Sequence, residues 1–440
     1  MTNDPRDVIA TAPMSRLQIV VVAITVALNA LDGFDVLSIS FASPGIATEW
    51  GIDRAALGIV LSMELIGMAI GSIFLGSVAD RIGRRPTILG TLVVMAGGML
   101  MATTVRGLVD LSIWRVVTGL GIGGMLAAIN AVSAEFSNTR RRDLCVALMS
   151  IGYPVGAVLG GIVAAQLLQG NDWRSVFYFG ASVTTVLIPI VYFVVPESVH
   201  WLARKQPRGA LESINRALVR MGHRAVSALP EISAAALKRT PGQIFAPALA
   251  ATTTIVTLAY FFHITTFYFI VKWIPKIVVD LGFPASTAAG VLVWTNVGGA
   301  LGGAVFGLLT LRVGVRALTV ALLVLSTITV ALFGQSPPDL QRLQIICAAA
   351  GFCTNAGIVG LYAIIAKAFP TEVRASGTGF TVGFGRGGSV LAPIIAGFLF
   401  AAGYLLPTVA LLMALGSIFA AGVLLMLKIE PRIPAPGPAR

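Results

Sequence analysis

Twelve apolar runs, each long enough to cross a bilayer, determine what this chain can fold into. A helix needs about 20 predominantly apolar residues to span about 30 Å of hydrocarbon, and it satisfies its own backbone hydrogen bonds there. We therefore predict an all-α membrane protein with twelve transmembrane helices, numbered here as spans 1 to 12. The predicted spans are residues 17–42, 55–78, 87–105, 111–134, 143–168, 174–195, 246–271, 285–310, 317–334, 342–368, 375–401 and 404–428.

The composition excludes a soluble protein. Of 440 residues, 56% are hydrophobic and 11% are charged, which is too apolar and too poor in charge for a soluble chain of this length. Span 1 exceeds the hydrophobic core of a signal peptide, so we expect it to stay in the membrane. Cys145, Cys347 and Cys353 are odd in number and lie in apolar runs, so they indicate no disulfide framework.

The formal net charge of +12 predicts a topology rather than a nucleic-acid partner, because the basic residues lie in short segments between the spans. With both termini cytoplasmic in a plasma (inner) membrane, the inside segments hold Arg81, Arg84, Arg85, Arg140, Arg141, Arg142, Arg312 and Arg316. The outside loops then hold Arg54, Arg106, Arg174, Lys272, Lys276 and Arg342.

A long polar stretch divides the chain into similar halves. We predict an N-terminal six-helix bundle over 1–196, a cytoplasmic linker over 197–243 and a C-terminal bundle with a short tail over 244–440. The Ala210–Val219 part of the linker has helical periodicity, which indicates short amphipathic helices at the membrane surface. The segment 76–85 is echoed by 307–316, so the two bundles are predicted to be pseudo-symmetric, with a binding site where they meet.

The segment Gly76 to Arg85 and the Arg115-x-x-x-Gly119 pattern resemble loop and helix motifs of the major facilitator superfamily. Within that superfamily, Asp32-Gly-Phe-Asp35, Gly385-Arg386-x-Gly388 and Pro196-Glu197-Ser198 are similar to the aromatic acid:proton symporter family. The resemblance implies a two-bundle transporter. One departure is Leu311, which stands where the first half has Asp80 and leaves the second loop's charge pattern incomplete.

Asp32, Asp35 and Glu64 are acids inside predicted spans, where a charge costs about 2.5–3.5 kcal/mol on insertion scales. Asp32 and Asp35 share a helix face, and two close carboxylates in low dielectric cannot both ionise cheaply. We predict a proton-binding role for this pair, against the alternative of a structural pair with an arginine. Glu64 is left open between a second protonation site and a neutral acid satisfied by a neighbour.

Two intramembrane arginines complete the predicted charged groups. Arg386 lies near the middle of span 11 among glycines, and its planar fork of donors suits a substrate carboxylate, with Asp32 as the alternative partner. Arg115 lies at a depth similar to that of Asp35, so we predict an ion pair between them with a structural or gating role.

Polar and aromatic residues elsewhere in the spans suit a ring with a hydroxyl group. Packing is the alternative for the aromatic run of span 7, which holds Tyr260, Phe261, Phe262, Phe267, Tyr268 and Phe269. The predicted substrate contacts are Tyr153, Tyr260, His263, Trp294, Asn296, Asn355 and Tyr362.

The loop after span 2 is predicted to act as a gate. Asp80 suits a helix N-terminus or a basic residue such as Arg141, whereas Arg81, Arg84 and Arg85 suit helix C-termini. Such contacts would hold the cytoplasmic side closed in one state and break in the other.

We therefore predict a monomeric transporter in the lipid bilayer that brings in a small organic anion, an aromatic or similar carboxylate, together with a proton. The alternatives are a porter for a sugar, a dicarboxylate or a drug, and a transporter-like receptor. Gly119-x-Gly121-x-x-Gly124 matches a dinucleotide fingerprint but has no preceding strand, so helix packing explains it better. The sequence predicts no enzyme, no cofactor and no metal site.

Overall fold

The computed structural model describes residues 4–230, 244–370 and 373–427, apart from the side chains of residues 248 and 375. Within these residues the chain forms fifteen α-helices and no β-strand. They are α1 (Pro5–Thr11), α2 (Arg16–Trp50), α3 (Arg54–Ile82), α4 (Arg84–Ala102), α5 (Leu108–Glu135), α6 (Arg142–Leu167), α7 (Arg174–Val194), α8 (Val199–Lys205), α9 (Ala210–Arg220), α10 (Pro247–Asp280), α11 (Ala285–Leu309), α12 (Val315–Gly334), α13 (Leu340–Ala368), α14 (Arg374–Ala401) and α15 (Leu406–Leu425).

Twelve of these helices are long and apolar enough to cross a membrane, which confirms the predicted fold class. Helices α2–α7 are spans 1–6, and α10–α15 are spans 7–12. The largest differences are at the ends of α2 and α10, which continue past the predicted ends at 42 and 271. In α2 the hydroxyl of Ser43 is satisfied within the helix by the carbonyl oxygen of Ser40, and Gly51 ends the helix in a left-handed conformation.

The two sets of six helices pack in matching pairs. Helix α3 packs on α5 as α11 packs on α13, and α2 packs on α6 as α10 packs on α14. The side chain of Arg85 donates to the carbonyl oxygen of Tyr192 at 2.6 Å. The side chain of Arg316 likewise donates to the carbonyl oxygen of Leu425 at 2.6 Å. Equivalent arginines therefore cap equivalent helix ends in the two halves.

Glycines set the closest helix contacts. A Cβ atom on Gly119 of α5 would overlap the backbone of Glu64 in α3, and one on Gly351 of α13 would overlap the backbone of Thr295 in α11. The glycine-rich stretch of α5 therefore serves helix packing, as the absence of a preceding strand indicated.

The bundle has two ends that differ in how the halves meet. We call the end that carries α1, α8 and α9 the terminus side, and the opposite end, with the loops after α2 and α10, the far side. On the far side one hydrophobic cluster joins both halves, including Phe41 and Phe177 from the first and Trp273 and Phe333 from the second. Towards the terminus side the buried clusters separate, one drawn from residues 9–226 and another from 244–427. The halves are thus packed together on the far side and part towards the terminus side.

The linker contributes two short helices at the terminus side. The apolar face of α9, with Ile214, Ala217 and Leu218, is buried in the cluster of the first half, because that cluster extends through α8 to α9. The apolar face of this linker helix thus packs on the protein, and its position at the membrane surface stays a prediction. The linker residues 231–243 lie outside the described part of the chain. Helix α1, capped by Asp4, was not predicted from the sequence.

Candidate functional site

A fully buried ion network occupies the far-side half of the bundle. Glu64 on α3 forms ion pairs with Arg115 on α5 and with Lys272 on α10, and all three side chains are 0% exposed. The Lys272 Nζ lies 3.6 Å from Glu64 Oε2 and also donates to the carbonyl oxygen of Val36 on α2. Because Lys272 belongs to the second half and the other groups to the first, this network crosses between the halves.

The predicted ion pair between Arg115 and Asp35 is wrong. Arg115 pairs with Glu64, and it reaches Asp35 through the backbone carbonyl, to which it donates at 3.1 Å. The reason is the close approach of α3 and α5 at Gly119, one turn after Arg115, which brings the arginine beside Glu64. Glu64 is therefore the partner of two cations, and its predicted roles in proton binding stay open.

The predicted position of Lys272 in an outside loop is also wrong. Lys272 lies inside α10, about two helical turns before the far-side end of that helix. Its charge lowered the local hydropathy and ended span 7 too early. The apolar residues on both sides of Lys272 were the signal that could have placed it inside the membrane.

Asp32 and Asp35 are buried, 1% and 0% exposed respectively. Among the described residues, neither carboxylate forms an ion pair within 4 Å. Both carboxyl oxygens of Asp35 and Oδ1 of Asp32 lack a hydrogen-bond donor in the same part of the chain. Asp35 is within electrostatic range of Glu64 and Arg115, whereas Asp32 is within range of Arg386 and Glu64. The two acids thus connect the ion network to Arg386.

Arg386 differs from the other two cations in the middle of the spans. Its Nη1 donates to the carbonyl oxygen of Met68 and to the hydroxyl of Ser72, both at 3.3 Å and both on α3. No acid of the described residues lies within salt-bridge distance, although Asp32 is close enough for electrostatic attraction. Arg115 and Lys272 pair with Glu64, so of these three cations Arg386 is the one without an acid partner among the described residues.

Four tyrosines surround this part of the bundle, and we call Tyr153, Tyr260, Tyr268 and Tyr362 the tyrosine cluster. The hydroxyls of Tyr260 and Tyr362 are 2.9 Å apart, and their ring centroids are 5.5 Å apart. Tyr268 is within electrostatic range of Arg386 and Asp32, and Tyr153 is within range of Tyr268 and Asp32. Tyr268 was assigned to packing from the sequence. Its spacing of two i+4 steps from Tyr260 was the signal that the two share a face.

A small cavity adjoins the tyrosine cluster between α6, α10, α11 and α13. Its lining includes Tyr153, Phe267, Asn296 and Asn355. The two asparagine amides donate to the backbone carbonyls of Leu292 at 2.8 Å and of Gly299 at 2.6 Å. The cavity measures about 30 Å³, enough for about one water, whereas a cavity that holds benzene measures about 150 Å³. An aromatic ring would therefore have to widen this cavity or bind outside it.

Two predicted substrate contacts lie elsewhere. His263 is fully buried, with Nε2 2.8 Å from the carbonyl oxygen of Thr354 and Nδ1 2.9 Å from the hydroxyl of Ser417. Both ring nitrogens are therefore occupied within the second half. Trp294 is 48% exposed and lines an apolar groove between α6 and α11 with Val158. Helix rotation, which the sequence does not give, moves both side chains away from the tyrosine cluster.

The junction between α3 and α4 forms an ion network with partners from the first half and from the linker. Asp80 pairs with Arg84 and Arg204, each at 2.8 Å, and Arg84 also pairs with Glu135 at 3.1 Å. Asp80 therefore meets Arg204 of the linker and not Arg141, because α8 folds back beside the end of α3. The Arg141 backbone N–H instead receives a cap from Asn138, and Arg81 is exposed.

The Pro196-Glu197-Ser198 segment caps the N-terminus of α4. The Glu197 Oε1 atom accepts from the backbone N–H groups of Arg84 and Ser198, at 2.9 and 2.8 Å. Helix α4 has no side-chain cap of its own at Gly83, so Glu197 supplies it from across the bundle. Burial raises the pKa of Glu197, and these amide hydrogen bonds oppose the shift.

Twelve candidate spans in two matching halves, with Asp32, Asp35 and Arg386 lacking ion partners among the described residues, indicate a multi-span membrane transporter rather than an enzyme. The chain belongs to the Major Facilitator Superfamily, whose model matches residues 25–291 and 256–440.

Curated relatives and solved structures agree with this assignment. The chain is 29% identical to a gallate transporter of Pseudomonas putida, over 98% of each chain. It is 28% identical to a 4-hydroxybenzoate transporter of Pseudomonas putida, over 88% of this chain and 87% of the relative. A D-xylose–proton symporter has the same fold with a TM-score of 0.73 at 17% identity, covering 94% of this chain and 98% of the symporter.

Proposed function

We propose that this protein imports an aromatic carboxylate together with a proton. In this proposal it acts as a monomer in a bacterial inner membrane, and the terminus side is cytoplasmic. The relatives named above carry gallate and 4-hydroxybenzoate, which are hydroxylated aromatic acids. Both the charged group and the ring of such a substrate have counterparts in the site.

Arg386 is the observation that carries the proposal. A cation at this depth without an acid partner is costly unless a ligand compensates it. Its two hydrogen bonds to α3 are long, at 3.3 Å, so the guanidinium is free to exchange them for a carboxylate. A carboxylate accepts two parallel N–H bonds from this fork, which fixes the orientation of the acid.

The tyrosine cluster supplies the ring contacts. Tyr260, Tyr268 and Tyr153 offer aromatic faces for stacking, and the hydroxyls of Tyr260 and Tyr362 offer hydrogen bonds to substituents on the ring. Asn296 and Asn355 line the adjoining cavity and suit a hydroxyl group that reaches it.

Asp32 and Asp35 carry the proton in this proposal. Both carboxyl oxygens of Asp35 and Oδ1 of Asp32 lie buried without a donor among the described residues, so a proton gained or lost at these atoms changes the charge near Arg386 without breaking a hydrogen bond. When Asp32 is protonated, Arg386 has no competing anion and binds the substrate carboxylate. When Asp32 loses its proton, its negative charge repels the substrate and favours release. Substrate and proton therefore support each other's binding.

Rocking of the two halves would give access to each side in turn. In this orientation, the joint cluster on the far side and the separate clusters on the terminus side support a carrier that opens towards the cytoplasm. In the opposite state we expect the loop with Asp80, Arg81, Arg84, Arg85 and Arg141 to meet the second half and act as the gate.

The test is uptake into proteoliposomes of labelled benzoate, 4-hydroxybenzoate, protocatechuate, gallate, vanillate, muconate and glucose, with and without an inward proton gradient. We expect gradient-driven accumulation of a hydroxylated aromatic acid. Asp32→Asn should abolish uphill uptake, whereas Asp110→Asn, at an exposed position in the first turn of α5, should not.

Other outcomes would overturn parts of the proposal. Accumulation of glucose or of muconate alone would refute the substrate class, and binding without flux would indicate a receptor. Uphill uptake by the Asp32→Asn protein would refute the proton role of Asp32.

A further inference from the structure

Two ion pairs connect the halves in the described part of the chain, and they differ sharply in burial. Arg54 of α3 pairs with Asp280 of α10 at 2.8 Å at the far-side rim, where the side chains are 43% and 28% exposed. Lys272 pairs with Glu64 deeper in the bundle, where both are 0% exposed. Exposed pairs contribute little because water screens them, whereas a buried charge that loses its partner is strongly destabilising. The two pairs thus provide a matched comparison.

The polar contacts of Lys272 both lie on the other half of the molecule. Its Nζ meets Glu64 on α3 and the carbonyl oxygen of Val36 on α2, and both helices belong to the first half. The neighbours of Lys272 along α10, Val271 and Trp273, are apolar and buried. If α10 moved away from α2 and α3, the ammonium group would lose both acceptors at once.

The charged residue Glu64, which Lys272 contacts in the first half, has a neutral counterpart in the second half. Gly119 packs on the backbone of Glu64 as Gly351 packs on that of Thr295, so Thr295 is the counterpart of Glu64. The residue four before Gly119 is Arg115, and the residue four before Gly351 is Cys347, which interacts with Thr295. The second half therefore has the neutral pair Cys347–Thr295 where the first half has the ion pair Arg115–Glu64. Lys272 of the second half forms an ion pair with Glu64 of the first half.

We propose that Lys272 is the latch that holds the far side closed and sets the balance between the two open states of the transport cycle. Opening the far side for loading separates α10 from α2 and α3 and leaves Lys272 without its acceptors. The closed far side is then the resting state, and binding of substrate and proton must compensate the loss. Lys272 is a positioning residue here, since its ammonium group contacts Glu64 and the carbonyl oxygen of Val36 rather than the proposed carboxylate site at Arg386. The inference rests on the proposed function in that it assumes rocking of the two halves.

Ser62 provides a reporter for the closed far side. Its hydroxyl donates to the carbonyl oxygen of Val390 on α14 at 2.7 Å, across the seam between the halves, and the side chain is 0% exposed. Ser62→Cys is nearly isosteric, and a thiol there reacts with a reagent from the far side when that side opens. The reagent is a membrane-impermeant maleimide added to spheroplasts. The protein that keeps Ser62 is the control, because it measures labelling of the native cysteines.

Lys272→Met should raise the rate of Ser62→Cys labelling at least tenfold, because the latch is removed while the length of the side chain is kept. Lys272→Arg should restore the slow rate of the parent protein. Arg54→Gln, which removes the exposed pair between the same two helices, should change the rate less than twofold. A purely structural role for Lys272 would speed labelling only through unfolding, so the faster rate must appear in Lys272→Met protein that elutes in gel filtration as the parent protein does.

An unchanged labelling rate in Lys272→Met, or an equal rise in Arg54→Gln, would overturn the latch. If Lys272→Met does not fold, as judged by gel filtration in detergent, Glu64→Gln must raise the rate instead, since it removes the anion that Lys272 meets. Labelling needs no substrate, so it remains informative if the uptake panel fails. Proton-driven uptake by the parent protein, together with an unchanged labelling rate in Lys272→Met, would overturn the latch and leave the proposed function standing.

Discussion

Substitution of Arg386 tests the core of the proposed site, and the structure sets the expected size of the effect. Arg386 makes two hydrogen bonds at 3.3 Å and has no acid within salt-bridge distance among the described residues. Its removal leaves no buried ion partner, so the loss of folding stability should be about 1 kcal/mol.

The effect on substrate binding should be much larger. A hydrogen bond to a charged group contributes about 1.5–3 kcal/mol, and a bidentate carboxylate takes two. Arg386→Lys keeps the charge but loses the fork, so one such bond is lost. Since 1.4 kcal/mol is a factor of ten, we expect binding to weaken about 10- to 150-fold. Arg386→Ala loses both bonds and should weaken binding by more than about 100-fold.

The assay is equilibrium binding of the labelled acid identified in the uptake panel to purified protein, together with thermal unfolding in the same detergent. Arg342→Lys is the control, because Arg342 is an exposed arginine in the first turn of α13. Binding by Arg386→Ala within threefold of the parent protein would refute the role of Arg386. A large loss of thermal stability in Arg386→Lys would show that the arginine is a structural residue.

Three further predictions concern groups that the structure assigns to packing and capping. Gly119→Val should prevent the contact of α3 with α5 and abolish stable expression, whereas Gly97→Val, where nothing lies within 4 Å of the added Cβ, should express normally in a fluorescence gel-filtration assay. Glu197→Ala should cost about 1–2 kcal/mol of stability by uncapping α4, and a melting temperature in detergent equal to that of the parent would contradict this. His263→Ala should lower stability by about 2–4 kcal/mol through a cavity and lost hydrogen bonds while leaving the KM for uptake unchanged, and a tenfold rise in KM would return His263 to the substrate site.

The hydropathy and periodicity of the sequence identified some candidate site residues and missed others. Asp32 and Arg386 stood out because a charge inside an apolar run is visible without any knowledge of packing, and the structure brings them within electrostatic range. Lys272 carries the same signal, but its charge was used to end a span. Tyr268 was hidden among neighbours with similar side chains, since an aromatic run does not reveal which member faces the site.

The sequence by itself determined the number of spans, the repeat of the two halves and the transporter family, because hydropathy and short motifs are local properties of the chain. The tertiary structure decided which charges meet. Arg115 pairs with Glu64 instead of Asp35 because Gly119 lets α3 approach α5. Lys272 joins this pair because α10 packs against helices of the first half. Such partners depend on helix rotation and on contacts between residues far apart in the chain, and neither is encoded in the spacing of any one span.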